Sequence, residues 1–93
     1  GFDVHGVDLH APTRKKMKPL LSEVHADPSV ILQHSLKIIS SLPSSKALVH
    51  VCHALCESKR ALKIKGTPIL MEISTLTLKD KMAARDILFG EFC

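Results

Sequence analysis

One corner constrains this chain more than any other stretch: Lys59, Arg60, Ala61, Leu62, Lys63, Ile64, Lys65, Gly66, Thr67, Pro68, Ile69, Leu70, Met71, Glu72. Its basic side chains suit the negative end of a helix dipole. Gly66 can take the left-handed conformation that stops a helix. Thr67 can cap the next helix through its hydroxyl, and Pro68 suits a first helical position. The pattern predicts one helix ending, a tight basic corner, and the longest helix running from Pro68 to about Phe89 with Gly90 as its stop. Ile69, Ile73, Leu76 and Ile87 would share one side of that helix, and Met71, Leu78, Met82 and Phe89 another. A competing strand through Ile73 to Leu78 is allowed by the alternation of Thr75, Leu76, Thr77 and Leu78.

Upstream, Asp27-Pro28 pairs a cap residue with Pro at a first helical position. The apolar positions Ile31, Leu32, Leu36, Ile38, Ile39 and Leu42 then extend the expected helix to Pro43. Ser44 or Ser45 should cap a further helix, about Lys46 to Ala61, with the stripe Leu48, Val51, Cys52, Leu55 and Leu62. Thr13 can cap a short helix from Arg14 to about Val24, unless Pro19 moves its start to Lys18 or Pro19 and leaves a solvated basic arm. Residues 1–12 lack periodicity and read as a flexible lead-in, with residues 13–93 as a single helical domain. A hydrophobic fraction of 45% excludes intrinsic disorder, and the only aromatics are three Phe, so the core must be aliphatic. The expected fold class is all-α: a compact bundle of four or five helices and no sheet. Its buried set should include Ile31, Leu36, Ile38, Leu48, Cys52, Leu55, Ile69, Ile73 and Leu76.

Chemistry is sparse along the chain. His50, Cys52, His53 and Cys56 are metal-ligand types close together. A structural zinc site needs four ligands, often in Cys-x2-Cys pairs, and no such pair is present. Core cysteines with surface histidines are the expectation, with no metal and no cofactor. There is no nucleophile elbow, no phosphate-binding Gly-rich loop and no paired-carboxylate arrangement, so a non-enzymatic protein without an essential thiol is expected. Two basic clusters, Arg14, Lys15, Lys16 and Lys18 and the run Lys59 to Lys65, accompany a net charge of +4 and keep nucleic acid as a secondary partner. No apolar run reaches the length of a membrane span, and no secretory leader is expected. With an odd count of three cysteines, a reducing, intracellular setting is expected. The start at Gly1 rather than Met reads as an excised domain or a processed chain.

Ile64, Lys65, Gly66, Thr67, Pro68, Ile69, Leu70, Met71 and Glu72, together with Ser74, Thr75, Leu78, Lys79 and Lys81, resemble the corner and final helix of a known domain family. This is the integrase-binding-domain family of lens epithelium-derived growth factor and hepatoma-derived growth factor relatives, within the TFIIS N-terminal-like helical modules. Ile38, Ile39, Ser40, Ser41 and Leu42 occupy a similar place upstream. The family's aromatic corner residue is Ile64 here, the aliphatic two residues later is Gly66, and its acidic loop residue corresponds to Asp27 with a shift or else to His25. The resemblance implies a nuclear, non-enzymatic interaction module of transcription or chromatin regulation, whose loops dock short acidic-hydrophobic motifs of disordered proteins. The expected binding residues are Val24, His25, Asp27, Lys63, Ile64, Lys65 and Gly66, with Arg14, Lys15, Lys16 and Lys18 adding electrostatic attraction. The alternatives are a nucleic-acid-binding helical domain, or a structural or oligomerisation bundle of a larger protein.

Overall fold

The computed structural model describes residues 3–89. Among them, four short strands pair two by two, each pair parallel: β1 (His5–Val7) with β2 (Glu23–His25), and β3 (Lys37–Ser40) with β4 (Ile69–Glu72). Parallel neighbours require a crossover. The first pair is bridged by α1 (Ala11–Met17) and a 3-10 turn, Lys18–Leu20; the second by α2 (Ser45–Ala61). A 3-10 helix, Pro28–Gln33, joins the two strand–helix–strand units, and α3 (Leu78–Leu88) packs against α2.

This mixed α/β architecture replaces the all-α helical bundle expected from the sequence. The helix expected from Asp27 onward is correctly started, because the Asp27 carboxylate accepts the Ser29 N–H at 2.9 Å. It does not continue to Leu42. The Ser35 hydroxyl bonds both the N–H and the carbonyl of Lys37, each at 3.0 Å, offering the backbone a local alternative to the helix. Ile38 and Ile39 then enter β3, where β-branched side chains fit. The long helix expected from Pro68 is likewise corrected. Thr67-Pro68 leads into β4, and α3 starts only at Leu78, where Thr77 accepts the Asp80 N–H at 3.2 Å. The strand falls just before the alternating Ile73–Leu78 stretch. Ile69 and Ile73, expected in the core, are exposed, because β4 turns Ile69 and Met71 outward and Leu70 and Glu72 inward. The expected stop at Gly90 lies outside the described residues.

Near the N-terminus, β1 lies within the stretch expected as a lead-in, and α1 begins at Ala11 with Pro12 in its first turn rather than at Arg14. The helix over Lys46–Ala61 is present as α2, with Ser44 accepting the Ala47 N–H at 3.1 Å. Its end is a Schellman closure. The Ile64 N–H bonds the Lys59 carbonyl at 3.1 Å, the Lys63 N–H bonds that of Arg60 at 3.3 Å, and Lys63 takes the left-handed conformation at φ +52°. The left-handed stop is therefore Lys63. Gly66 also has a positive φ, three residues on, and Leu36 Cδ1 lies 3.0 Å from where its Cβ would stand.

Two apolar clusters meet α2. One holds Ile31, Leu32 and Leu55, with Val7, Leu36, Ile38, Val51 and Ile64 against it; the other holds Leu48, Cys52 and Ala84, with Leu42, Leu70, Leu76, Ile87 and Leu88. A polar tie closes the end of the second sheet. Glu72 Oε1 accepts from the Ser74 N–H at 2.9 Å, from the Ser74 hydroxyl, and from the Ser40 hydroxyl at 3.4 Å. Lys81 Nζ on α3 lies 3.2 Å from Oε2.

Burial works to raise the Glu72 carboxyl, but the Ser74 donors and Lys81 outweigh it and hold the group below its ordinary value. A carboxyl depressed in the folded state contributes stability above its unfolded pKa and loses it as pH falls through the folded one. The melting temperature should therefore drop on acidification below about pH 4.3, the usual Glu value. Glu72→Gln should flatten that acid limb in calorimetric melts, and an unchanged limb would rule the tie out as its source.

Candidate metal centre

The β1–β2 register places His5 beside Glu23 and Val7 beside His25. Side chains two apart along a strand share a face, so His5, Glu23 and His25 project from one side of the ribbon. The pairing is extended by the Ser22 N–H to the Val4 carbonyl at 2.9 Å and the Asp8 N–H to the His25 carbonyl at 3.0 Å. His34, at the end of the 3-10 helix Pro28–Gln33, completes a group whose ligand atoms all lie within 4.8 Å of one another.

Three atoms of this group form a small triangle. His5 Nδ1 and His25 Nε2 are 3.3 Å apart, His25 Nε2 and Glu23 Oε2 3.5 Å, and His5 Nδ1 and Glu23 Oε2 3.9 Å. The His5 and His25 rings are parallel within 5°, with centroids 5.5 Å apart, a separation that the nitrogen gap and the two ring radii account for. They therefore meet edge to edge, with in-plane nitrogens facing. That geometry carries one N–H···N hydrogen bond, and it equally brackets a cation. Zinc bonds nitrogen at about 2.0–2.1 Å, which at a tetrahedral angle places two ligand nitrogens about 3.3–3.4 Å apart. An ion seated there would lie off the nitrogen–nitrogen line toward Glu23, with each ring turned by about 35° to aim its lone pair at the metal.

His34 is placed differently. Its ring lies over His5, centroids 4.1 Å apart and planes within 12°. Its in-plane lone pairs run alongside those of His5 rather than converging with them. Outside the triangle, Asp3 Oδ2 lies 3.6 Å from His5 Nε2, the nitrogen turned away from the cluster. The Ser22 hydroxyl and, more weakly, His5 hold the exposed Asp3 carboxyl below its ordinary value. A carboxylate behind a histidine fixes the ring's tautomer and orientation and raises its basicity as a ligand. The His5 side chain is 9% exposed and that of His25 19%.

A cleft of about 450 Å³ is lined by Arg14, Lys15, Lys18, Ser22, Glu23, Val24 and His25. The structure thus brings together most of the electrostatic set (Arg14, Lys15 and Lys18) with two expected partner-binding residues, Val24 and His25. The other expected site residues have separate structural places. Asp27 caps the 3-10 helix, Lys63 and Ile64 close α2, Ile64 packs on the Leu55 cluster, and Lys65 and Gly66 are exposed in the corner. Lys16 is exposed on α1.

The metal-ligand types noted on α2 do not gather. Cys52 and Cys56 are buried, His50 and His53 are exposed, and burial pushes the Cys52 thiol up to about 11, leaving it an inert core side chain. The expectation of no metal rests only on ligands adjacent in sequence. It takes no account of His5 and His34, which come from different elements: the parallel register sets His5 beside Glu23 and His25, His34 arrives from the 3-10 helix, and no local spacing encodes either placement. The available signal is six histidines in 93 residues, three of them (His5, His10 and His25) each two residues after an acidic one. Among the described residues, no helix is long and apolar enough to cross a membrane. No family model, no curated protein and no solved structure matches this chain.

Proposed function

We propose that this is a metal-binding domain that holds one divalent transition ion, zinc for preference, between His5, His25 and Glu23. The observation that carries the reading is the triangle of donor atoms: its 3.3 and 3.5 Å edges match those of a zinc tetrahedron, and the third, 3.9 Å, needs a small shift of the Glu23 carboxylate toward His5. Two imidazoles and one carboxylate suit zinc and its neighbours, whereas calcium and magnesium take all-oxygen sets. Elemental analysis of protein purified without chelator, then calorimetric zinc titration, tests it. One ion per chain is expected. His5→Ala or His25→Ala should weaken binding by more than about a hundredfold, since even the partners behind metal ligands account for about 10–100-fold. Absence of stoichiometric zinc, or its loss in Cys56→Ser, would refute the site.

A second reading, the docking of short acidic-hydrophobic peptides, is favoured by one observation. Ile39, Ile69, Met71 and Ile73 are exposed around the outer side of the β3–β4 sheet, with Lys37 beside Ile69 in the register. An added strand gains main-chain hydrogen bonds from a sheet edge and specificity from alternate side chains. The nuclear, transcription-linked setting implied by the family resemblance belongs to this reading alone. Chemical-shift mapping with such a peptide should perturb Lys37–Ser40 and Ile69–Glu72; shifts elsewhere only would remove it.

A further inference from the structure

A two-stranded sheet leaves two edges, and β4 holds one of them. The Ile69 N–H donates to the Leu36 carbonyl at 2.7 Å and the Ile73 N–H to that of Ser40 at 2.9 Å, both across to the β3 side. Main-chain groups of successive strand residues point alternately to its two sides. The N–H and carbonyl groups of Leu70 and Glu72 are therefore directed away from β3, along an edge that no further strand meets among the described residues. An unpaired row of this kind is a template for an added strand.

A groove of about 310 Å³ follows that edge. Its strand-side lining includes both Ile69, which turns outward, and Leu70, which turns inward, and no residue of β3. A groove reached from both faces of β4 but not by its neighbour lies at the free edge. The opposite wall is α3, through Lys81, Ala84, Arg85 and Leu88, whose spacing puts them on one face of the helix. The charged side chains of the lining are Glu72, Lys81 and Arg85. Glu72 is already engaged by Ser74 and Lys81. Arg85 reaches its neighbour Asp86 at 3.4 Å, but both side chains are well exposed, and such a pair has little strength. Arg85 is therefore the cation left to a ligand.

We infer that this groove takes an extended peptide segment as a third strand beside β4, with apolar side chains at alternate positions turned to Leu70 and Leu88 and a carboxylate against Arg85. The inference rests on the peptide-docking reading and names the edge and the helix that hold the peptide. The Leu70 and Glu72 main chain supplies hydrogen bonds of the strand-addition kind, and the apolar lining selects the side chains. The four residues of β4 extend about 13 Å at about 3.3 Å per residue, so a segment of about six residues covers them.

The probe is a pool of acetylated, amidated hexapeptides with valine, leucine, isoleucine or phenylalanine at the odd positions, serine between them and aspartate last. Titrated into the full chain and followed by chemical shifts, it should perturb Ile69–Glu72 and residues 81–88 together. Two further pools, N-methylated at the odd or at the even amides, should separate. One frame should bind like the parent and the other at least about tenfold more weakly, because it loses the N–H groups turned to β4. Arg85→Glu, an exposed position, should weaken the aspartate pool at least about fivefold and favour a pool ending in lysine. Shifts confined to Lys37–Ser40 and the outer side chains would overturn the inference and leave the docking reading standing. Equal binding by the two methylated frames, or by the aspartate and lysine pools, would overturn it as well. Concentration-dependent shifts of Ile69–Glu72 without peptide would assign the groove to a second copy and likewise overturn it. If no pool shifts any resonance, both the inference and the docking reading fall.

Discussion

Replacing Leu55 with alanine is expected to lower the unfolding free energy by about 2–5 kcal/mol. Leu55 is 1% exposed, on the side of α2 where the two strand–helix–strand units meet. Its cluster draws on Val7 of β1, Ile31 and Leu32 of the 3-10 helix, Ile38 of β3 and Ile64 of the corner after α2. Those side chains belong to two two-stranded ribbons, a short helix and a turn, none of which can collapse inward far without breaking its own hydrogen bonds. A truncated side chain there leaves a cavity, and the loss combines removed apolar transfer with lost packing. Against the 5–15 kcal/mol typical of a domain, that is a large share. Urea denaturation should show a lower midpoint with little change in slope. Ile69→Ala, at a position 62% exposed, should shift stability by no more than about 0.5 kcal/mol. Equal effects at the two positions would mean that the core is not where the structure has it.

Zinc is expected to stabilise the domain by about 2.7 kcal/mol at a free concentration one hundred times its dissociation constant. The increment arises because the donor triangle exists only in the folded chain. A two-stranded pair is marginal by itself, and β1–β2 rests on short strands and on few contacts with the 3-10 helix. An ion joining His5 to His25 and Glu23 would tie β1 to β2 directly. Thermal melts with zinc and with chelator measure the difference. It should vanish in His5→Ala and in His25→Ala, and persist in His50→Ala/His53→Ala, whose side chains lie exposed on α2. A zinc-dependent shift that survives loss of both His5 and His25 would place the ion elsewhere.

Local chemistry explains which elements are legible in the chain. The Ser44 cap and the stripe Leu48, Val51, Cys52 and Leu55 mark α2 because they act within a few residues, and the helix forms with those bounds. Asp27-Pro28 marks a helical start for the same reason, although it yields one 3-10 helix rather than a long α-helix. The corner from Lys59 to Pro68 signals a helix end, and α2 does end there. The segment after Pro68 is not legible in this way. Ile69 to Glu72 can serve either helix or strand, and the choice falls to a partner far away in sequence. Lys37–Ser40 supplies that partner, in register with Ile69–Glu72.

The same physics separates the two halves of the candidate site. Arg14, Lys15 and Lys18 form a basic run visible in the chain itself, because charge is a property of each residue. The donor triangle is visible only in three dimensions. His5, Glu23 and His25 meet through the parallel pairing of β1 with β2, and His34 arrives from a third element. The sequence by itself determined the helix caps, the α2 stripe, the basic run and the absence of aromatics from the described core, all of them local or compositional. Only the tertiary structure decided the strands, the outward turn of Ile69 and the gathering of the histidines. A parallel register is set by hydrogen bonds and packing between segments distant along the chain, and no short spacing records it.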